Sequence, residues 1–129
     1  MAQIVVIDDM DEMRMLYEDL LTSYGHEVLA FDDGASALSA VDFAVVDLVI
    51  TDLQMPTSGQ LVIRTIRACG YEVPILVVSG HVMASDFDEL FQLGAQSVMS
   101  KPPDFKVFRQ TVTELLVSRK VSCAEGEVC

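Results

Sequence analysis

Residues 4–9 read Ile4-Val5-Val6-Ile7-Asp8-Asp9, a continuous apolar run closed by two acids. Four apolar residues without alternation predict a strand buried on both faces, as a parallel sheet requires. After it, Met13, Leu16, Tyr17, Leu20, Leu21 and Tyr24 recur at spacings of three and four. That spacing predicts one face of a helix, which Gly25 is placed to end. The alternation of strand and helix then continues along the chain.

Val28-Leu29-Ala30-Phe31 predicts a second strand, and Asp32-Asp33-Gly34 leads into a small-residue helix near Ala35–Val41. Leu48-Val49-Ile50, closed by Thr51-Asp52, predicts a third, followed by a Met55-Pro56 loop and a helix carrying Leu61, Ile63 and Ile66. Pro74-Ile75-Leu76-Val77-Val78 predicts a fourth, ending at Ser79-Gly80. Phe87, Leu90, Phe91 and Leu93 mark the next helix, and a short strand near Ser97–Met99 runs into Lys101-Pro102-Pro103. A last helix carries Phe105, Phe108, Val112, Leu115 and Leu116 in one stripe. Five strands alternating with five helices imply a doubly wound parallel sheet covered on both faces. One domain is expected over residues 1–120, with 121–129 a polar, flexible tail.

Composition narrows the function. A chain of 129 residues, 51% hydrophobic, can build a real core and is not expected to be disordered. Its net charge of −12, from 20 acidic and 8 basic residues, disfavours direct nucleic-acid binding and favours basic protein partners or bound cations. No apolar run reaches the roughly 18 residues of a membrane span, and the start lacks a signal peptide's pattern. A cytoplasmic protein without membrane attachment is expected. Cys69, Cys123 and Cys129 have neither the number nor the spacing of a disulfide framework or zinc site.

The chemistry lies where the polar residues fall. In open parallel sheets ligands bind beyond the carboxyl ends of the strands. Asp8 and Asp9 end the first strand, Asp52 the third and Ser79 the fourth, and Lys101 follows the fifth. Converging carboxylates repel and raise one another's pKa values. Mg²⁺, a hard cation that takes carboxylate and carbonyl oxygens, resolves that repulsion. Three aspartates, one lysine and one Mg²⁺ sum to zero charge, and a neutral pocket can accept a phosphoryl group. Singly, each residue has a plainer reading: Asp9 or Asp11 as a helix N-cap, Ser79 as a turn residue, Lys101 as a solvated lysine. Joint placement on four strand ends favours a site.

The ordered set Asp8-Asp9, Asp52-Leu53-Gln54-Met55-Pro56, Ser79-Gly80 and Lys101-Pro102 resembles the receiver domain of bacterial response regulators. The resemblance runs to about residue 120 and is nearest the stand-alone, chemotaxis-regulator type. It implies a flavodoxin-like fold with strand order 2-1-3-4-5. It also implies a two-component signalling role in which Asp52 is the phosphoacceptor and the chain is not an enzyme in its own right. Asp9, Asp52 and the backbone carbonyl of Gln54 would ligate Mg²⁺, with Asp8 holding a metal-bound water. Lys101 would bind phosphoryl oxygen, and Ser79 would swing toward the phosphorylated state. The Lys101-Pro102 bond is often cis in such domains. Gln54 and His81 occupy positions that in the family modulate loss of the phosphoryl group, though His81 reads equally as an inert surface loop residue and is assigned no base role. One departure is Val98, where the family often carries an aromatic switch residue three positions before its lysine.

The implied partners are a histidine kinase or histidine phosphotransfer protein, and a downstream protein met by the face of the fourth helix, fifth strand and fifth helix. That face would include residues near 84–93 and 104–117. Three other readings compete with this one. An FMN carrier needs amides and hydroxyls after the first strand, where Asp8-Asp9-Met10-Asp11-Glu12 stands instead. Asp9-Met10-Asp11 superficially resembles the nucleophile motif of haloacid-dehalogenase phosphohydrolases, but Met13 sits where Thr or Val is usual. A receiver-like module that binds partners without phosphorylation is the third.

Overall fold

The computed structural model describes residues 2–80 and 83–125; His81 lies outside the described residues. Five strands, β1 (Gln3–Ile7), β2 (Glu27–Phe31), β3 (Leu48–Thr51), β4 (Ile75–Ser79) and β5 (Ser97–Ser100), pair in parallel in the order β2-β1-β3-β4-β5. Helices α1 (Asp11–Ser23), α2 (Gly34–Ala40), α3 (Gly59–Ala68), α4 (Ala84–Leu93) and α5 (Phe105–Glu125) form the crossovers and the final layer. This is the doubly wound order expected from the sequence.

The apolar runs explain the layering. Successive strand residues point to opposite faces, so each central strand feeds two cores. Val5, Ile7, Val49, Ile75 and Val77 pack with Ala37, Val62, Ile63, Ile66 and Leu90, under α2, α3 and α4. Ile4, Val6, Leu48, Ile50, Leu76 and Val78 pack on the other side with Tyr17, Leu21, Phe108, Val112 and Leu116, from α1 and α5. Tyr17 stacks on Phe108 with ring centroids 5.4 Å apart, tying α1 to α5 beneath the sheet. The edge strand β2 is only partly buried and shows more alternation than the central strands.

Several expectations need adjusting. Leu61 is exposed and Val62 takes its place in the core, so the buried stripe of α3 is Val62, Ile63 and Ile66. Phe105 and Phe91 also face solvent. A 3-10 turn at Phe43–Val45, which sequence periodicity did not predict, buries Phe43 ahead of β3. Helix α5 extends through Glu125, taking in the first five residues of the expected polar tail. No helix among the described residues is long and apolar enough to cross a membrane.

Gly59 marks the tightest approach in the frame. A Cβ there would lie 2.2 Å from the Asp52 carbonyl oxygen and 2.9 Å from Leu53 Cα. Both atoms are backbone, so nothing can yield cheaply. Gly59→Ala is expected to cost about 2 kcal/mol by overpacking, despite alanine's helix propensity advantage of about 1 kcal/mol. Gln60→Ala, one residue on, should stay within about 0.5 kcal/mol. Urea unfolding of the two variants against the parent measures both; equal stabilities would refute the close approach.

Candidate functional site

Register delivers the polar residues to one edge of the sheet. Ile7 pairs with Thr51, Thr51 with Val77, and Ser79 with Ser100. The residues just past β1, β3 and β5 are therefore Asp8, Asp52 and Lys101, beside Ser79 at the end of β4. β1 connects outward to β2 and β3 to β4 on the other side, so Asp8 and Asp52 flank the point where the winding reverses. Crevices of that kind are where open α/β sheets bind ligands.

Lys101 Nζ lies 2.8 Å from Asp8 Oδ2 and 2.8 Å from Asp52 Oδ2, and donates a hydrogen bond to the latter. Asp8 Oδ1 accepts from the Met10 N–H at 2.9 Å. Asp52 Oδ1 accepts from the Leu53 N–H at 2.6 Å and, more weakly, from the Gln54 N–H at 3.4 Å. Asp52 thus turns one oxygen back to its own loop and the other to the lysine. The Lys101–Pro102 peptide is cis, and the Lys101 N–H donates to the Ser79 carbonyl at 2.9 Å.

Asp8 and Asp52 are buried and Asp9 is exposed, yet a carboxylate oxygen from each lies within 4.8 Å of the others. At that separation two buried carboxylates repel by about 3.5 kcal/mol for an effective dielectric near 20. One ammonium against three carboxylates leaves a deficit of two charges. The pKa of Asp8 is raised, chiefly because burial penalises its charge more than Lys101 and the Met10 N–H favour it, with the Asp52 charge adding least. Burial also works against the Lys101 ammonium, but its contacts with Asp52 and Asp8 prevail and hold its pKa above the ordinary lysine value.

A hard divalent cation fits this donor set, because all available ligands are oxygens and the deficit is two charges. The Ser79 hydroxyl adds capacity: it is buried at 0% exposure and makes no hydrogen bond among the described residues. Of the residues singled out in the sequence, Asp8, Asp9, Asp52 and Lys101 are brought together, with Ser79 alongside. Gln54 lies in the adjoining loop with its side chain exposed. The N-cap reading of Asp9 and Asp11 does not hold, since Met10 is the N-cap of α1 and supplies no side-chain bond.

Two features escaped the sequence. The Tyr17 hydroxyl is buried without a hydrogen bond among the described residues, and its pKa is raised by burial and by the Asp8 and Asp52 charges. Asp33 reaches across to Thr57 in the loop after Asp52. The Asp33-Gly34 pair after β2 signalled a helix cap, but nothing in sequence spacing could signal the bond to Thr57.

Comparison with known proteins agrees with this geometry. The family described as "Response regulator receiver domain" matches residues 4–113. The Escherichia coli K12 "Sensor histidine kinase RcsC" is 32% identical over 111 residues, which make up 85% of this chain and 12% of that protein. The chain therefore spans about one-eighth of that relative's length. Among solved structures, a response regulator receiver domain protein from Clostridium thermocellum is 25% identical, with a TM-score of 0.86 and coverage of 94% of this chain and 98% of that one. The Vibrio cholerae chemotaxis protein CheY4 is 26% identical, with a TM-score of 0.82 and coverage of 89% and 98%.

The electrostatics give a testable consequence. Asp8→Asn removes a buried charge that the metal-free protein holds at a cost. Its thermal midpoint in chelator should rise by a few degrees, about 1 kcal/mol for a domain of this size. Because the folded pKa of Asp8 is raised, the advantage should be absent below the ordinary value of 3.8 and open as pH rises through the folded value. Calorimetry across pH checks this; a lower midpoint near neutrality would mean the Asp8–Lys101 pair is net stabilising.

Proposed function

The chain belongs to the response regulator receiver domain family, and on that premise we propose that it is a phosphorylation switch whose phosphoacceptor is Asp52. The observation that carries this reading is the buried Asp52 carboxylate, 2.8 Å from Lys101 and within 4.8 Å of two further carboxylates. A carboxylate so placed can attack phosphorus in line. The donor is a histidine kinase or histidine phosphotransfer protein: an Asp52 oxygen forms a bond to phosphorus as the N–P bond of the phosphohistidine breaks. The imidazole leaves with that electron pair.

Lys101 is suited to hold a phosphoryl oxygen, since its ammonium already bridges Asp8 and Asp52. Asp9, Asp52 and the Gln54 backbone carbonyl would hold Mg²⁺, with Asp8 acting through a water. When bound, that ion supplies the two positive charges that bring the pocket to neutrality and offset charge on the phosphoryl oxygens. Most of the remaining work is positioning, which a rigid sheet edge provides. Such a domain assists only its own phosphorylation and dephosphorylation and is not otherwise an enzyme.

The buried Ser79 hydroxyl, without a hydrogen bond among the described residues, is free to swing to a new phosphoryl group. Val98 is half-buried against the core under α3 and α4, so the aromatic ring that often stands at this position in the family is absent there. The change would leave through β4 and α4 to a downstream protein at the α4–β5–α5 face. Phe91, Phe105 and Val107 are exposed there and offer apolar contact to a partner.

Intact mass after incubation with acetyl phosphate and Mg²⁺ tests the proposal. Gain of one phosphoryl group is expected, abolished by Asp52→Asn and by a chelator. No adduct, together with no Mg²⁺-dependent beryllofluoride binding, would leave a phosphorylation-independent docking module in its place.

A further inference from the structure

The loop after Asp52 is tied to Asp33 at the start of α2, a carboxylate outside the Asp8–Asp9–Asp52 group. Asp33 is the N-cap of α2, accepting from the Ala35 N–H at 3.2 Å. Capping uses a single side-chain oxygen, but this carboxylate also reaches across to Thr57. Oδ1 accepts from the Thr57 N–H at 2.8 Å, and Oδ2 accepts from the Thr57 hydroxyl at 2.8 Å. Both bonds are charge-assisted, the stronger class.

The two segments are packed as closely as their chemistry suggests. A Cβ on Gly34 would lie 3.3 Å from Thr57 Cγ2 and 2.4 Å from Val62 Cγ2. Elsewhere among the described residues the loop is held near its ends, by the Leu53 N–H and, more weakly, the Gln54 N–H on Asp52 Oδ1, and by the Gly59 N–H on the Leu53 carbonyl at 3.0 Å. Between those ties lie Met55, which packs against the core edge, and Pro56, while Gln54 itself is exposed.

We propose that the Asp33–Thr57 pair is a positioning latch that fixes the loop carrying Gln54 and thereby sets the affinity of the Asp8–Asp9–Asp52 cluster for Mg²⁺. The inference rests on the reading of that cluster as the metal site of a phosphoacceptor. Asp33 is not one of the cluster's carboxylates and acts through the backbone of residues 54–57. Metal ligands are oriented by partners one layer out, and loss of such a partner typically weakens binding by 10–100-fold. The bond from the Thr57 N–H holds the Asp33 carboxyl below its ordinary pKa, so the latch is charged at neutral pH.

Two substitutions separate this role from simple capping. Asp33→Ser keeps an oxygen for the Ala35 N–H but is too short to span to Thr57. Thr57→Val keeps the backbone bond and the shape and loses only the hydroxyl. Mg²⁺ affinity is measured by calorimetry, and amide exchange at residues 53–58 is measured on the metal-free protein. Asp33→Ser should weaken Mg²⁺ binding about 10-fold and speed exchange across the loop, with Thr57→Val giving a smaller change in the same direction. The double variant should lose less than the two effects added, because both act on one contact.

A lower melting temperature with unchanged Mg²⁺ affinity would reduce Asp33 to a helix cap and overturn the latch. Thr57→Val keeps the question decidable should Asp33→Ser fail to fold. If the parent chain takes up no Mg²⁺, the functional reading falls and the latch with it. Mg²⁺ binding by the parent with unchanged variants overturns the latch alone.

Discussion

The ammonium of Lys101, wedged between the carboxylates of Asp8 and Asp52, is the contact on which the edge of this sheet depends. It lies 2.8 Å from an oxygen of each, and both acids are almost sealed from water. Three strands must end in register for that contact to form, because its members follow β1, β3 and β5. Burial raises the Asp8 pKa despite the lysine, and by count one ammonium faces three carboxylates there. Proteins tolerate local cost of this kind where binding or chemistry needs it.

The rest of the fold makes that cost bearable by being rigid. Two cores clamp the sheet from opposite faces, and the strands that carry the acids, β1 and β3, are with β4 its most buried. At the rim, Ser79 has a hydroxyl without a bond among the described residues, and Asp33 ties the loop beyond Asp52 through Thr57. An arrangement with a stiff frame and a lightly tied rim would suit the switch proposed for this chain.

Much of this was legible in the chain. The runs at Ile4–Ile7, Leu48–Ile50 and Ile75–Val78 are apolar without alternation, and all three proved to be central strands buried on both faces. Because parallel strands deliver their carboxyl ends to one edge, placing Asp8, Asp52, Ser79 and Lys101 at those ends also placed them together. What periodicity could not resolve was which of two neighbouring apolar residues on an amphipathic helix faces inward. Leu61 and Val62 exchange roles for that reason, and Phe105 projects to solvent one turn before the buried Phe108. The Phe43–Val45 turn is too short to show a period, and the Asp33–Thr57 bond joins segments that only the tertiary fold brings together.

The central claim is that the acidic cluster is a divalent cation site that Lys101 alone leaves unbalanced. The most direct measurement is the thermal midpoint of the chain as Mg²⁺ is titrated at constant ionic strength. A ligand that binds only the folded state stabilises it by about 2.7 kcal/mol at a hundred times its dissociation constant. The account predicts a saturable rise of that order with Mg²⁺, lost in Asp9→Asn and not reproduced by monovalent salt. A midpoint indifferent to Mg²⁺, or raised equally by sodium chloride, would contradict it.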